Sequence, residues 1–314
     1  MSSPSLTLPP QERRPVRRRL LEILGALAIA ATYLYLVLNQ PADITGGPGS
    51  ASALIALTGF LAGAVLLIAA VLPTLPASTL VLIPVALVLN IVLGQFVGST
   101  LVPFYLDAIG TVLIAVLAGP AAGAATGALS SIVWSFFNPT VLPFAAGAAL
   151  IGCLAGLAAR YGLFRRFYLA PVAGFVTGII AGVVSAPVAA FVFGGTSGVA
   201  TGAIVSAFRA MGDTLLAAIT KQALISDPMD KAIVFTIVAV LVYALPRRAR
   251  QQFPFIRRHR VLAGNTPEAN AGQATVAAGS GPAAKMQAEA AVRDQANGTA
   301  PAAGHTSHGS APKD

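Results

Sequence analysis

Apolar residues run along this chain in long blocks, separated by short joints rich in glycine, proline or polar side chains. A helix needs roughly 20 mostly apolar residues, with a range of about 17–25, to cross a bilayer. Blocks of that kind predict eight spans: 20–38, 53–72, 79–97, 104–118, 121–137, 143–161, 168–193 and 228–245. The fourth is short. At about 1.5 Å per residue it reaches only about three-quarters of a ~30 Å hydrocarbon core. Gly119 and Pro120 end it, because proline disfavours helix in the residue before it.

The stretch 194–227 carries a different pattern. From Ile204 it is helical by period, with Ile204, Phe208, Met211, Leu215, Ile219 and Gln222 on one face and Arg209, Asp213 and Lys221 off it. A ninth span here would bury Arg209 and Asp213 at mid-membrane and reverse the side on which Arg247 onward lies. It is therefore expected, at about 198–225, as a helix lying on or folded back into the outer face. Asp227 then reads as the N-cap of the next helix, Pro228 as its first residue and Asp230 as an acidic capping-box partner.

Composition agrees with the pattern. Of 314 residues, 56% are hydrophobic and only 10% are charged, against about 25% charged in soluble domains. This excludes a soluble enzyme domain, a nucleic-acid-binding module and a disordered scaffold. The net charge of +9 does not point to nucleic acid, since most basic residues lie outside the apolar blocks. The single cysteine, Cys153, lies within an apolar run and forms no intrachain disulfide.

Arginines set the orientation. Arg13, Arg14, Arg17, Arg18 and Arg19 precede the first span, Arg160, Arg165 and Arg166 follow the sixth, and Arg247, Arg248 and Arg250 follow the eighth. The intervening loops 39–52, 98–103 and 138–142 hold no Lys or Arg. One parity satisfies all three clusters and places both termini in the cytoplasm. The first span is too long for a signal peptide and is read as retained. The organisation is then a basic N-terminus (1–19), two N-terminal helices (20–75), a six-helix membrane domain (76–248) and a cytoplasmic tail (249–314). That tail is basic at first and, beyond about 262, too poor in apolar residues to bury a core. His305 and His308 fall in it and are expected to be inert.

Candidate chemistry is sparse. The spans contain no histidine, which disfavours a transition-metal carrier, and no cofactor is expected. No Walker G-x-x-x-x-G-K-[ST] loop, zincin motif or embedded acid–base pair appears, so the chain is read as non-catalytic. The few ionisable residues at membrane depth are therefore informative. Asp107 is either an acid at a helix N-terminus or a ligand-binding carboxylate, with Arg209 as a possible partner. Arg209 and Asp213 are spaced to pair along their helix. Asn90 can join helices, and Gln95 can face a cavity. Trp134, the only tryptophan, suits an interfacial belt or a ligand stack, as does Tyr105. Gly119, Gly123 and Gly127 form a small-residue face, for packing within the bundle or for docking another protein. Under the derived topology Gln95, Tyr105, Asp107, Trp134, Asn138, Arg209, Asp213 and Lys221 share the outer half. That one-sidedness suits capture from outside, whereas an ion-driven carrier needs polar groups near the midplane.

The segments Pro103-Phe104-Tyr105-Leu106-Asp107-Ala108-Ile109-Gly110-Thr111 and Leu117-Ala118-Gly119-Pro120, with the Gly/Ala helix that follows, resemble the substrate-binding (S) components of energy-coupling factor (ECF) vitamin transporters. Ser185-Ala186-Pro187, Phe193-Gly194-Gly195 and Ile225-Ser226-Asp227-Pro228-Met229-Asp230-Lys231 look like one uncharacterised subgroup of that family. The likeness covers about 79–248. It implies a six-helix S component that binds a micronutrient from outside, joins a transmembrane T component and two cytoplasmic ATPases, and topples to release its cargo. It implies a ligand site built from 98–103, 138–142 and 194–227. It also implies a docking face on the first core helix; Ala86 and Asn90, with Gly119, Gly123 and Gly127, are the candidates. That helix does not reproduce the family's Ala-x-x-x-Ala pattern, and the two extra N-terminal spans depart from the family. Metal-transporting relatives begin Met-His and this chain begins Met1-Ser2-Ser3, so nickel and cobalt are not expected. A membrane sensor module and a secondary transporter are the competing expectations.

Overall fold

The computed structural model describes residues 16–41, 50–193, 195 and 198–262, which belong to one compact unit. The basic residues Arg13 and Arg14, the predicted disordered tail, His305 and His308 lie outside the described residues. Among those described, the structure is all helical. The elements are α1 (Val16–Asn39), α2 (Ala51–Val71), α3 (Ala77–Gly98), α4 (Ile109–Ala118), α5 (Pro120–Ser135), α6 (Ala145–Arg160), α7 (Leu169–Pro187), α8 (Val199–Ala210), α9 (Leu215–Ala244), α10 (Arg247–Gln251) and α11 (Pro254–His259).

Five stretches are long and apolar enough to cross a membrane: Val16–Asn39, Ala51–Thr74, Ala77–Gly98, Pro139–Arg160 and Leu169–Val192. The chain is thus a multi-pass helical membrane protein. The outward stripe of α3, formed by Val81, Val85, Val88, Val92 and Phe96, is left exposed, as a lipid-facing surface requires. α4 and α5, with ten and sixteen residues, are shorter than a full span. Each is buried over most of its length by its neighbours.

Close backbone approach at small residues holds the bundle together. A Cβ on Gly152 of α6 would lie 2.2 Å from the Gly123 carbonyl oxygen of α5. On Gly127 it would lie 2.2 Å from the Ala148 oxygen, and on Gly110 of α4 2.2 Å from the Ala86 oxygen of α3. Asn90 reinforces the α3–α4 contact, donating from Nδ2 to Thr111 Oγ1 at 2.8 Å and accepting from the Gly110 amide at 2.7 Å. Gly119, at φ +98°, faces the Phe255 ring of α11. The five residues expected to form a docking face, Ala86, Asn90, Gly119, Gly123 and Gly127, are therefore buried by this chain's own helices. The glycines and Ala86 here serve intrachain packing, and Asn90 an intrachain hydrogen bond.

The additional pair α1–α2 packs into the same unit. Its helices meet at Gly25 and Gly63, where an added Cβ on either would stand 2.9 Å from the other's carbonyl oxygen. Phe60, Leu67 and Leu36 join Ala124, Ala125 and Ala128 of α5 in one buried cluster. Tyr33 Oη donates to the Val184 carbonyl of α7 at 2.9 Å, so α1 is also tied to the opposite wall.

Three sequence expectations need correction. The fourth predicted span, 104–118, becomes helical only at Ile109; the preceding residues form a turn in which Leu106 adopts φ +52°. The outer helix expected at about 198–225 is two elements. α8 ends at Ala210, Gly212 takes φ +98°, and Thr214 caps α9 by accepting from the Ala217 amide. Most consequentially, no helix starts at Asp227. α9 runs 30 residues from Leu215 to Ala244 with Pro228 inside it. The glycines of α7 account for this. Added Cβ atoms at Gly174 and Gly178 would each lie 2.3 Å from backbone oxygens of α9, at Lys231 and Asp227 respectively. Intimate packing against α7 supports the α9 backbone where proline removes a helical hydrogen bond.

The basic segment after α9 also folds back. Phe253, Ile256, Val261 and Leu262 are buried in the main core cluster. Arg165 clamps this end, donating from Nε to the Arg260 carbonyl and from Nη2 to that of His259, each at 3.0 Å.

Candidate functional site

Alternating helix directions bring the C-terminal ends of α3, α5 and α7 and the N-terminal ends of α4 and α6 to one end of the bundle. There, with the middle of α9, they enclose a cavity of about 340 Å³. That is within the range of small-molecule sites, about 300–1,000 Å³. The opposite end holds Arg160, Arg165, Arg166, Arg248 and Arg250, at the far ends of α6 and α9 and at the start of α7.

The wall contains an ion-pair cluster. Lys231 Nζ donates to Asp107 Oδ1 at 2.9 Å and also to Asp230 Oδ2. The other oxygen of Asp230 accepts the backbone amides of Tyr105 and Leu106 at 3.2 and 2.9 Å. One carboxylate of α9 thus caps the turn that enters α4 and fixes the lysine beside it. Lys231 and Asp230 are nearly fully buried, whereas the Asp107 side chain keeps 35% of its exposure. Asp227, one turn earlier on α9, also lines the cavity, and no cation lies within ion-pair distance of it among the described residues.

Trp134 stands on the α5 side, 8% exposed, and its Nε1 donates to Gln95 Oε1 of α3 at 3.3 Å. Gly94 makes room for this arrangement: a Cβ there would meet the Trp134 ring at 2.5 Å and Asp107 Cβ at 2.9 Å. Val199 of α8 also lines the cavity, and Tyr105 anchors that helix through a 2.9 Å hydrogen bond between its Oη and Thr201 Oγ1.

Of the residues singled out from sequence, Gln95, Tyr105, Asp107, Trp134 and Asn138 line this cavity. Arg209, Asp213 and Lys221 do not. They form a separate group at the turn between α8 and α9, where Lys221 pairs with the Asp213 carboxylate at 2.8 Å. Arg209 Nη1 donates to the Asp213 backbone oxygen at 2.9 Å, so the expected Arg209–Asp213 carboxylate pair is replaced by the Lys221 pair. Nor is Arg209 the partner of Asp107; Lys231 is.

Sequence reasoning missed Lys231, Asp230, Asp227 and Gln222 as site residues. The signal was present: three charges within five positions, followed by an unbroken apolar run. It was absorbed into a helix-start pattern, which the same residue types also satisfy. The buried hydroxyls Ser130 and Ser131 carried no such signal.

Comparison with protein-family models, with curated proteins and with solved structures gives no match to this chain. What the fold and cavity define is a class: a multi-pass helical membrane protein with a cavity at one end of its bundle whose mainly apolar wall carries an ion-paired cluster.

Proposed function

We propose that this chain is the substrate-binding membrane subunit of an ECF-type importer. It captures a vitamin-like small molecule from outside the cell and releases it inward in concert with a T component and two cytoplasmic ATPases. The observation that carries this reading is the place of the cavity, at the end of the bundle remote from the arginine clusters. By the positive-inside rule, the arginine end is cytoplasmic and the cavity faces out. In this reading all eight apolar segments cross the bilayer, with α4 and α5 as short spans sheltered by their neighbours, and both termini are cytoplasmic. The sequence resemblance over 79–248 supports the same assignment.

Purification from native membranes, followed by mass spectrometry of bound proteins and small molecules, tests it. Recovery of a T component, paired ATPases and a stoichiometric small molecule is expected. Recovery of the chain with none of these would remove the assignment.

A secondary transporter is the second reading, favoured by the buried Asp107–Lys231–Asp230 cluster, since embedded ion pairs also serve proton relays. Proteoliposomes holding only this protein separate the two. The importer subunit binds but does not accumulate solute under a proton or sodium gradient, whereas a secondary transporter does.

A further inference from the structure

The wall of the cavity contains polar groups that the protein leaves without partners. Ser130 and Ser131 are 4% and 6% exposed, line the cavity, and make no hydrogen bond to protein through their hydroxyls. Gln222 is 4% exposed; its Nε2 donates to Ser226 Oγ, while its carbonyl Oε1 has no protein donor. Among the described residues the one fully buried side-chain polar atom without a partner is Thr79 Oγ1, so these three groups open onto the cavity space, where water or a bound molecule meets them. These three come from α5 and α9 and line one space.

The charge of that space has a sign. Asp107 and Asp227 line it with one ammonium, Lys231, which is already committed to Asp107 and to Asp230 behind the wall. No arginine or histidine lines the cavity among the described residues. Asp227 and the free Gln222 carbonyl, on successive turns of α9, are acceptors only. The carboxylates are not grouped to hold a metal ion among the described residues. The remaining fit is a molecule that brings both positive charge and N–H donors.

We propose that the cavity takes an organic cation with N–H donors, such as an amine or amidine, whose charged group sits against Asp227 and the Gln222 carbonyl. The hydroxyls of Ser130 and Ser131 meet its polar substituents from the α5 side. This rests on the capture reading and narrows it to a substrate class. It also gives Asp227 a direct counter-ion; Lys231, one turn on, is in ion-pair contact with Asp107 and Asp230 and acts on Asp227 only at longer range.

The test uses the full chain in detergent and a small-metabolite extract of the source cells, split by ion exchange at neutral pH into cationic, neutral and anionic fractions. The thermal unfolding midpoint is read with each fraction. The cationic fraction alone is expected to raise it, and Asp227→Asn is expected to weaken that response by about thirtyfold or more in the concentration needed. Asp227→Glu keeps the charge and retains part of the response. If Asp227→Asn does not fold, Gln222→Met, which removes only the carbonyl acceptor, is read in the same way. A rise with the neutral or anionic fraction but not the cationic one overturns this proposal and leaves capture standing. No rise with any fraction overturns both.

Discussion

Lys231 and Asp107 are 124 positions apart in the chain, yet the ammonium of one donates to the carboxylate of the other at 2.9 Å. The contact joins α9 to the turn before α4, and Asp230 completes it from the same helix. Charges within an apolar bundle are costly unless paired, and removing one partner strands the other. Lys231→Met leaves three carboxylates with no cation and is expected to lower stability by about 3–5 kcal/mol. Asp107→Asn costs less, because that side chain is partly exposed and Lys231 keeps Asp230. Denaturant unfolding in detergent measures both. Equal losses would mean that the lysine is held by Asp107 alone.

Trp134 is the only tryptophan in the protein and lines the cavity, so intrinsic fluorescence reports on this one site. Its emission is expected to be blue-shifted and resistant to iodide in the folded protein. Gln95→Leu removes its hydrogen-bond acceptor and shifts the spectrum further. A spectrum as red as that of free tryptophan would contradict the buried placement.

Gly152 and Gly123 bring α5 and α6 into backbone contact. Gly152→Ala places a methyl group where the Gly123 carbonyl stands and is expected to destabilise by about 1–3 kcal/mol, the usual range for overpacking. Gly195→Ala, where an added Cβ meets nothing, is the control. A neutral Gly152→Ala would show that the two helices are further apart than described.

Orientation is open to direct labelling. In a Cys153→Ser background, Ser99→Cys at the cavity end is expected to react with an impermeant thiol reagent from outside, and Ala249→Cys only after permeabilisation. External reaction at position 249 would invert or break the proposed topology.

The apolar blocks were legible because lipid-exposed helices must be continuously hydrophobic, and each predicted block coincides with helix over most of its length. The error at Asp227 has a physical cause. Asp-Pro-x-Asp is the pattern of a helix start, and local propensity favours one there. The long-range fact that overrides it is the row Gly174, Gly178 and Gly182 on α7, which lets α9 lie against α7 and continue past proline. Gly174 and Gly178 are spaced as a packing face, so the row was visible; its partner was not. Five of the eight singled-out polar residues meet at the cavity because the helices alternate in direction. Arg209, Asp213 and Lys221 were grouped with them by depth alone, and depth does not say which side of a helix a residue faces.

Pro228 has a consequence for the cavity wall itself. Lacking an N–H, it cannot close the helical bond to the Leu224 carbonyl, so the longest rod in the protein is missing one rung. That rung falls between Gln222 and Lys231, within the section that lines the cavity. Above and below it, α9 has a complete ladder and resists bending. The missing rung stands where Gly178 of α7 lies against Asp227 and Pro228, so beside the binding space it is the neighbouring helix, not the ladder of α9, that sets the curvature of the wall.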